Sequence, residues 1–146
     1  MIGLMNISEA MSIALHTCAR LALEPDTFVS VRTVSKEMGF SPHHVAKVAQ
    51  QLSRAGLIET ERGPSGGAKL ARPAEETVLL DIYIAAGGTA EFSGCLLKHD
   101  VCRGKRCAFG KLIARENQRL VTLLRHTTLA SVVKSLKRNS RPASAK

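Results

Sequence analysis

The chain has 146 residues and a formal net charge of +9, enough for one domain with a helical appendage and a core that needs no disulfides. Four Phe, one Tyr and no Trp point to a helical protein packed with Leu, Ile, Val and Ala and argue against a β-sandwich. No uncharged apolar run approaches the roughly 18 residues of a membrane span, and no basic N-terminal region precedes Glu9, so the expected location is the cytoplasm. In that compartment the four cysteines read as thiols or metal ligands.

The charge is unevenly placed. Residues 1–93 carry 8 Lys and Arg against 10 Asp and Glu, net −2, whereas residues 94–146 carry 13 against 2, net +11. Bulk charge alone would put a polyanion contact in the last third. A nucleic-acid reading of the first part must rest on local arrangement.

Along the chain, residues 6–22 repeat Ile7, Ala10, Met11, Ala14, Leu15, Cys18 and Leu21 at helical spacing, before Glu24-Pro25-Asp26 breaks the pattern. A second short helix fits residues 31–38, burying Val31, Val34 and Met38. Gly39 supplies a turn, and Ser41-Pro42 is a helix start: Ser caps free N–H groups and Pro at the first position loses no hydrogen bond. The next helix, residues 42–55, buries Val45, Val48, Ala49 and Leu52 and presents His43, His44, Lys47, Gln50, Gln51 and Arg54 on its other face. Each of these can donate to a base edge or phosphate. Two short helices about a Gly turn, the second apolar on one side and donor-rich on the other, describe a helix-turn-helix. A helical hairpin with a solvated polar face fits the helix pair equally well.

The segment after this helix pair favours DNA. Residues 57–61 read as a strand, Arg62-Gly63-Pro64-Ser65-Gly66-Gly67 as a turn, and residues 68–72 as the returning strand. A hairpin directly after a recognition helix is a wing, with Arg62 and Lys69 flanking a tip at which backbone can approach phosphates.

Cys95, Cys102 and Cys107 lie in one loop, with six residues between the first two and four between the second two. Loop cysteines this close can converge on one metal, and Lys98, Arg103, Lys105 and Arg106 favour thiolates. Three chemistries fit the spacing: an iron–sulfur cluster, a structural zinc on Cys95, His99, Cys102 and Cys107, or a reversible disulfide of Cys95 with Cys102 or Cys107. Cys18, on the apolar face of the first helix, reads as core. Residues 108–126 then place Phe109, Leu112, Ile113, Leu120, Val121, Leu123 and Leu124 at helical spacing. That stripe is covered by a second subunit, or by residues 6–22 or 77–86 of the same chain.

The run Ser41-Pro42-His43-His44-Val45-Ala46-Lys47-Val48, then Leu52-Ser53-Arg54-Ala55-Gly56-Leu57, the wing sequence, Leu70-Ala71-Arg72-Pro73-Ala74, the three cysteines and Thr128-Leu129-Ala130 resemble the Rrf2 family of bacterial regulators over about residues 4–133. The resemblance implies a dimer formed through the long helix after the cysteines, with two recognition helices in successive major grooves of a palindromic operator. It also implies an iron–sulfur cluster, two-iron or four-iron, on Cys95, Cys102 and Cys107, although the cysteine spacing departs slightly from the familiar register. Some members complete the ligand set with a His three residues after the last Cys, where this chain has Gly110. In the nitric-oxide-sensing members a carboxylate near the start of the first helix serves, donated by the other subunit, and Glu9 matches that position.

The expected fold is therefore mainly α with a small β-hairpin wing: a winged helix-turn-helix over residues 1–88, a cysteine loop over 89–107, dimerisation and C-terminal helices over 108–137, and a basic, disordered tail over 138–146. The expected function is a homodimeric repressor of double-stranded DNA whose affinity responds to the cluster, to nitric oxide or to redox state. No Cys-x-x-Cys, nucleotide-binding glycine loop or carboxylate–His pairing supports an enzyme.

Overall fold

The computed structural model describes residues 7–64, 66–91 and 107–139. Its elements run α1 (Glu9–Leu23), α2 (Val31–Met38), α3 (Pro42–Arg54), β1 (Ile58–Glu61), β2 (Gly67–Leu70), α4 (Leu79–Ala85), α5 (Ala108–His126) and α6 (Leu129–Asn139). This is the expected winged helix with a long helix following it.

Helix α1 is the hub. Ser8 starts it, its hydroxyl accepting from the Met11 N–H at 3.2 Å, a cap that satisfies one of the free donors of the first turn. α2, α3, α4, α6 and β2 all pack on it, which is why it buries more than one stripe. Ile13, absent from the expected apolar face, is fully buried, whereas Ile7, assigned to that face, lies before the helix and is exposed. Cys18 has no exposed surface, and burial pushes its thiol up to about 12.

α2 ends at Gly39, whose φ of 70° lies in the left-handed region that closes helices. Of its expected core residues only Val34 is fully buried, and Ser35 joins it, its hydroxyl donating to the Phe40 carbonyl at 2.6 Å. α3 buries Val45, Val48, Ala49 and Leu52, all four as expected. Ser41 occupies the cap position without a side-chain hydrogen bond, so Pro42 alone marks the start.

β1 and β2 are antiparallel in the register Ile58↔Leu70, Glu59↔Lys69, Thr60↔Ala68 and Glu61↔Gly67. The return strand begins one residue before and stops two residues short of the expected 68–72, because a third segment holds it: Val29 and Ala68 exchange backbone hydrogen bonds of 2.8 and 2.9 Å. Glycine is required at 67 for this approach, since a Cβ there would lie 2.4 Å from the Val29 carbonyl oxygen.

Beyond the wing the chain knots two segments together. Val78 bridges Thr128, and the Leu79 N–H donates to the Thr127 carbonyl at 2.9 Å, Leu129 to Thr77 at 2.7 Å and Ala130 to Ala74 at 3.1 Å. α6 thereby delivers Leu129 and Val133 to the same core as Leu21, Leu52 and Ile82.

α5 packs on α4 and buries Val121, so α4, within the expected 77–86 stretch, covers part of its stripe. Leu120 and Leu124 are half-buried, and the other four are open: Phe109 is 72% exposed, Leu123 61%, Leu112 49% and Ile113 39%. No described helix is long and apolar enough to cross a membrane.

Candidate nucleic-acid interface and cysteine site

On α3 the apolar residues turn inward, leaving His43, His44, Lys47, Gln50 and Arg54 exposed and Gln51 half-buried. All six are donors, and the helix carries no carboxylate to repel phosphate. Arg62 stands exposed at the end of β1 without an ion pair among the described residues. Ser65 and the tail 140–146 lie outside the described residues.

Two of the expected donors already have partners. Lys69 is directly across the hairpin from Glu59, with Nζ 3.4 Å from its carboxylate, and sits 4.9 Å over the centre of the Phe28 ring. Its charge is therefore partly spent within the wing. Sequence reasoning missed this because it depends on strand register and on Phe28 being brought alongside by the Val29 bridge. His44 has its Nδ1 3.5 Å from a carboxylate oxygen of Glu9. A cavity of about 210 Å³ opens there between the first turns of α1 and α3, floored by Ile13 and Val48 and edged by Glu9, His44, Lys47 and Gln51. Glu9 thus touches the face of the recognition helix of its own chain.

Of the cysteine site, Cys107 is described and Cys95, His99, Cys102 and the basic residues 98, 103, 105 and 106 lie outside the described residues. Cys107 is a free, half-buried thiol at the cap position of α5, its Sγ accepting from the Gly110 N–H at 3.3 Å. Its sulfur is the donor type that iron–sulfur clusters take, and the Glu9 carboxylate is more than half exposed. These two residues fit a cluster's donor chemistry. Among the described residues no three His, Cys, Asp or Glu side chains gather at metal-binding distance.

Structure connects this thiol to the wing. α5 runs from Cys107 to the Thr127–Leu129 joint, which is bonded to the 74–79 segment. There Asp81 of α4 pairs with Arg72, two residues after β2. Midway along α5 the Asn117 side chain donates to the Ala90 carbonyl at 3.0 Å, tying the helix to the segment that follows α4.

Residues 7–135 match the Rrf2 family, described as "Iron-dependent Transcriptional regulator". A helix-turn-helix-type transcriptional regulator, IscR, of Cereibacter sphaeroides is 39% identical over 77 residues, 53% of this chain, and the chain spans about half (50%) of that relative's length. Among solved structures, CymR, the global cysteine regulator of B. subtilis, superposes with a TM-score of 0.77 at 21% identity, covering 90% of this chain and 98% of that one. IscR of T. potens gives 0.74 at 22%, covering 93% and 91%. These two likenesses concern the fold. Since the family match extends from before α1 into α6, the chain belongs to the Rrf2 family, whose members are DNA-binding transcriptional regulators and not enzymes.

Proposed function

We propose that the protein is a cytoplasmic homodimeric repressor that reads a palindromic operator, and that its DNA affinity is set by an iron–sulfur cluster on Cys95, Cys102 and Cys107, with Glu9 supplied across the dimer. The observation that carries the DNA reading is the exposed, donor-rich and carboxylate-free face of α3 beside a wing. His43, His44, Lys47, Gln50, Gln51 and Arg54 contact base edges or phosphates in the major groove. Arg62 contacts phosphate from the wing, with Lys69 contributing less because Glu59 already neutralises it.

The dimer reading is supported by the open stripe of Phe109, Leu112, Ile113 and Leu123, which is costly to leave in water. A cluster at this site would supply a centre sensitive to nitric oxide and oxidants. The chain's own contribution is the path from the Cys107 cap through α5 and the Thr127–Leu129 joint to Arg72 and the wing. A change at the cap shifts that path, and with it the spacing of the two reading heads.

Anaerobic purification with iron, sulfide and zinc analysis, followed by promoter binding across a salt series, tests the proposal. Matched iron and sulfide, with a steep salt dependence and a Cys102→Ser protein that folds but no longer responds to nitric oxide or oxidant, is the expected result. Stoichiometric zinc would make the loop structural. A colourless, metal-free protein that still responds would assign it to a thiol switch. Binding insensitive to salt would remove the DNA reading.

A further inference from the structure

A cavity of about 450 Å³, with no α3 residue in its lining, lies between the last turn of α1, the turn after the wing and α6. Its volume falls in the range of small-molecule sites. Ala22, Ala74, Ala130 and Val133 form its apolar walls, and Lys134, Lys137 and Glu75 stand at its rim. None of these three charges has an ion pair among the described residues.

The rim is therefore polarised. Lys134 and Lys137 are one turn apart on α6 and repel each other, a repulsion that an anion placed between them relieves. Glu75, on the opposite lip, disfavours a second negative group. The walls offer methyl groups and no buried polar side chain. We infer that this cavity binds a small amphipathic monoanion, an organic monocarboxylate whose apolar body lies on Ala22, Ala74, Ala130 and Val133 while its carboxylate meets Lys134 and Lys137. The site is separate from the cysteine loop and does not rest on the cluster reading. It straddles the Ala130–Ala74 hydrogen bond of 3.1 Å, one of the ties between α6 and the segment leading from the wing.

Octanoate is a suitable probe, with octanol and the dicarboxylate suberate as controls, read on the full chain by calorimetry and by methyl NMR of Val133 and Ala130. Saturable octanoate binding below roughly 10 mM is expected for a ligand of this size, with shifts confined to the cavity. The exposed pair Lys134→Gln/Lys137→Gln leaves the melting curve of the free protein unchanged and weakens octanoate about tenfold. Glu75→Gln lets suberate bind nearly as well as octanoate. Octanol binding as tightly as octanoate, octanoate binding unaffected by the lysine pair, or no saturation at all would each overturn the inference.

Discussion

The carboxylate of Glu9, in the first turn of α1, stands 3.5 Å from Nδ1 of His44, in the first turn of the recognition helix α3. Both side chains are about half exposed, at 59% and 51%, so the pair adds little to stability. Its significance is position, since it sets a negative charge beside the face proposed to meet phosphate.

Glu9→Gln in metal-free protein is therefore expected to leave the melting temperature within about 1 °C and to tighten promoter binding roughly threefold at low salt. The gain should vanish near 0.5 M salt, where the Debye length is about 4 Å. Fluorescence anisotropy across a salt series measures both. Unchanged affinity at low salt would show that Glu9 does not sense the DNA.

Lys47 and Lys69 are expected to behave differently although both are basic and near the interface. Lys47 is exposed and without an ion pair among the described residues, so Lys47→Ala should weaken binding to all sequences and lower the salt slope by about 1. Lys69 is held by Glu59 and Phe28. Lys69→Ala should change affinity by less than about threefold and cost mainly wing stability. Equal losses from the two variants would contradict this ranking.

On α5, Leu123 and Val121 separate assembly from folding. Leu123, 61% exposed, is replaced by Glu at little cost to the monomer, and sedimentation should then report a monomer that binds the full operator about 100-fold more weakly. Val121, 6% exposed, supports the protomer's own packing, so Val121→Ala should cost about 1–2 kcal/mol in chemical denaturation while the dimer persists. A dimeric Leu123→Glu protein would place the interface elsewhere.

Buried Cys18 gives an alkaline signature. Its thiol is pushed up from 9.0 to about 12 by desolvation, so the folded state holds the proton that the unfolded state releases. The resulting stabilisation is complete below pH 9 and is lost as pH rises from 9 toward 12. Through that window the wild type should lose about 1.4 kcal/mol per pH unit more than Cys18→Ala, which is less stable at neutral pH because of the cavity it leaves. Parallel pH profiles for the two proteins would refute the assignment. Native-state alkylation should likewise spare Cys18.

The sequence made α3 legible because its burial has a single period: Val45, Val48, Ala49 and Leu52 all face one way. The wing was legible because Gly63, Pro64 and Gly66 admit little but a turn, although Gly67, grouped with them, belongs to β2. Ile13 escaped because α1 is packed on several sides, and no single stripe describes it. Val29 escaped because one bridge has no periodicity to detect. The Thr77–Leu79 and Thr127–Leu129 joint is made by backbone atoms, which leave no mark on side-chain choice. The pairing of Glu9 with His44, and of Lys69 with Glu59, follows from helix crossing and strand register, neither of which is written in local spacing.

Leu129 and Val133, contributed by α6, sit in the same core as α1, so the first and last described helices close on one another. This topology makes the regulator hard to take apart. A chimera that grafts its reading head onto a different oligomerising partner must carry α6 along as well. Without it, about 60 residues downstream of the wing, the graft exposes an apolar seam along α1. Variation that retunes operator choice is thus free to act on α3, whereas exchange of whole segments between relatives is constrained to include both helices together.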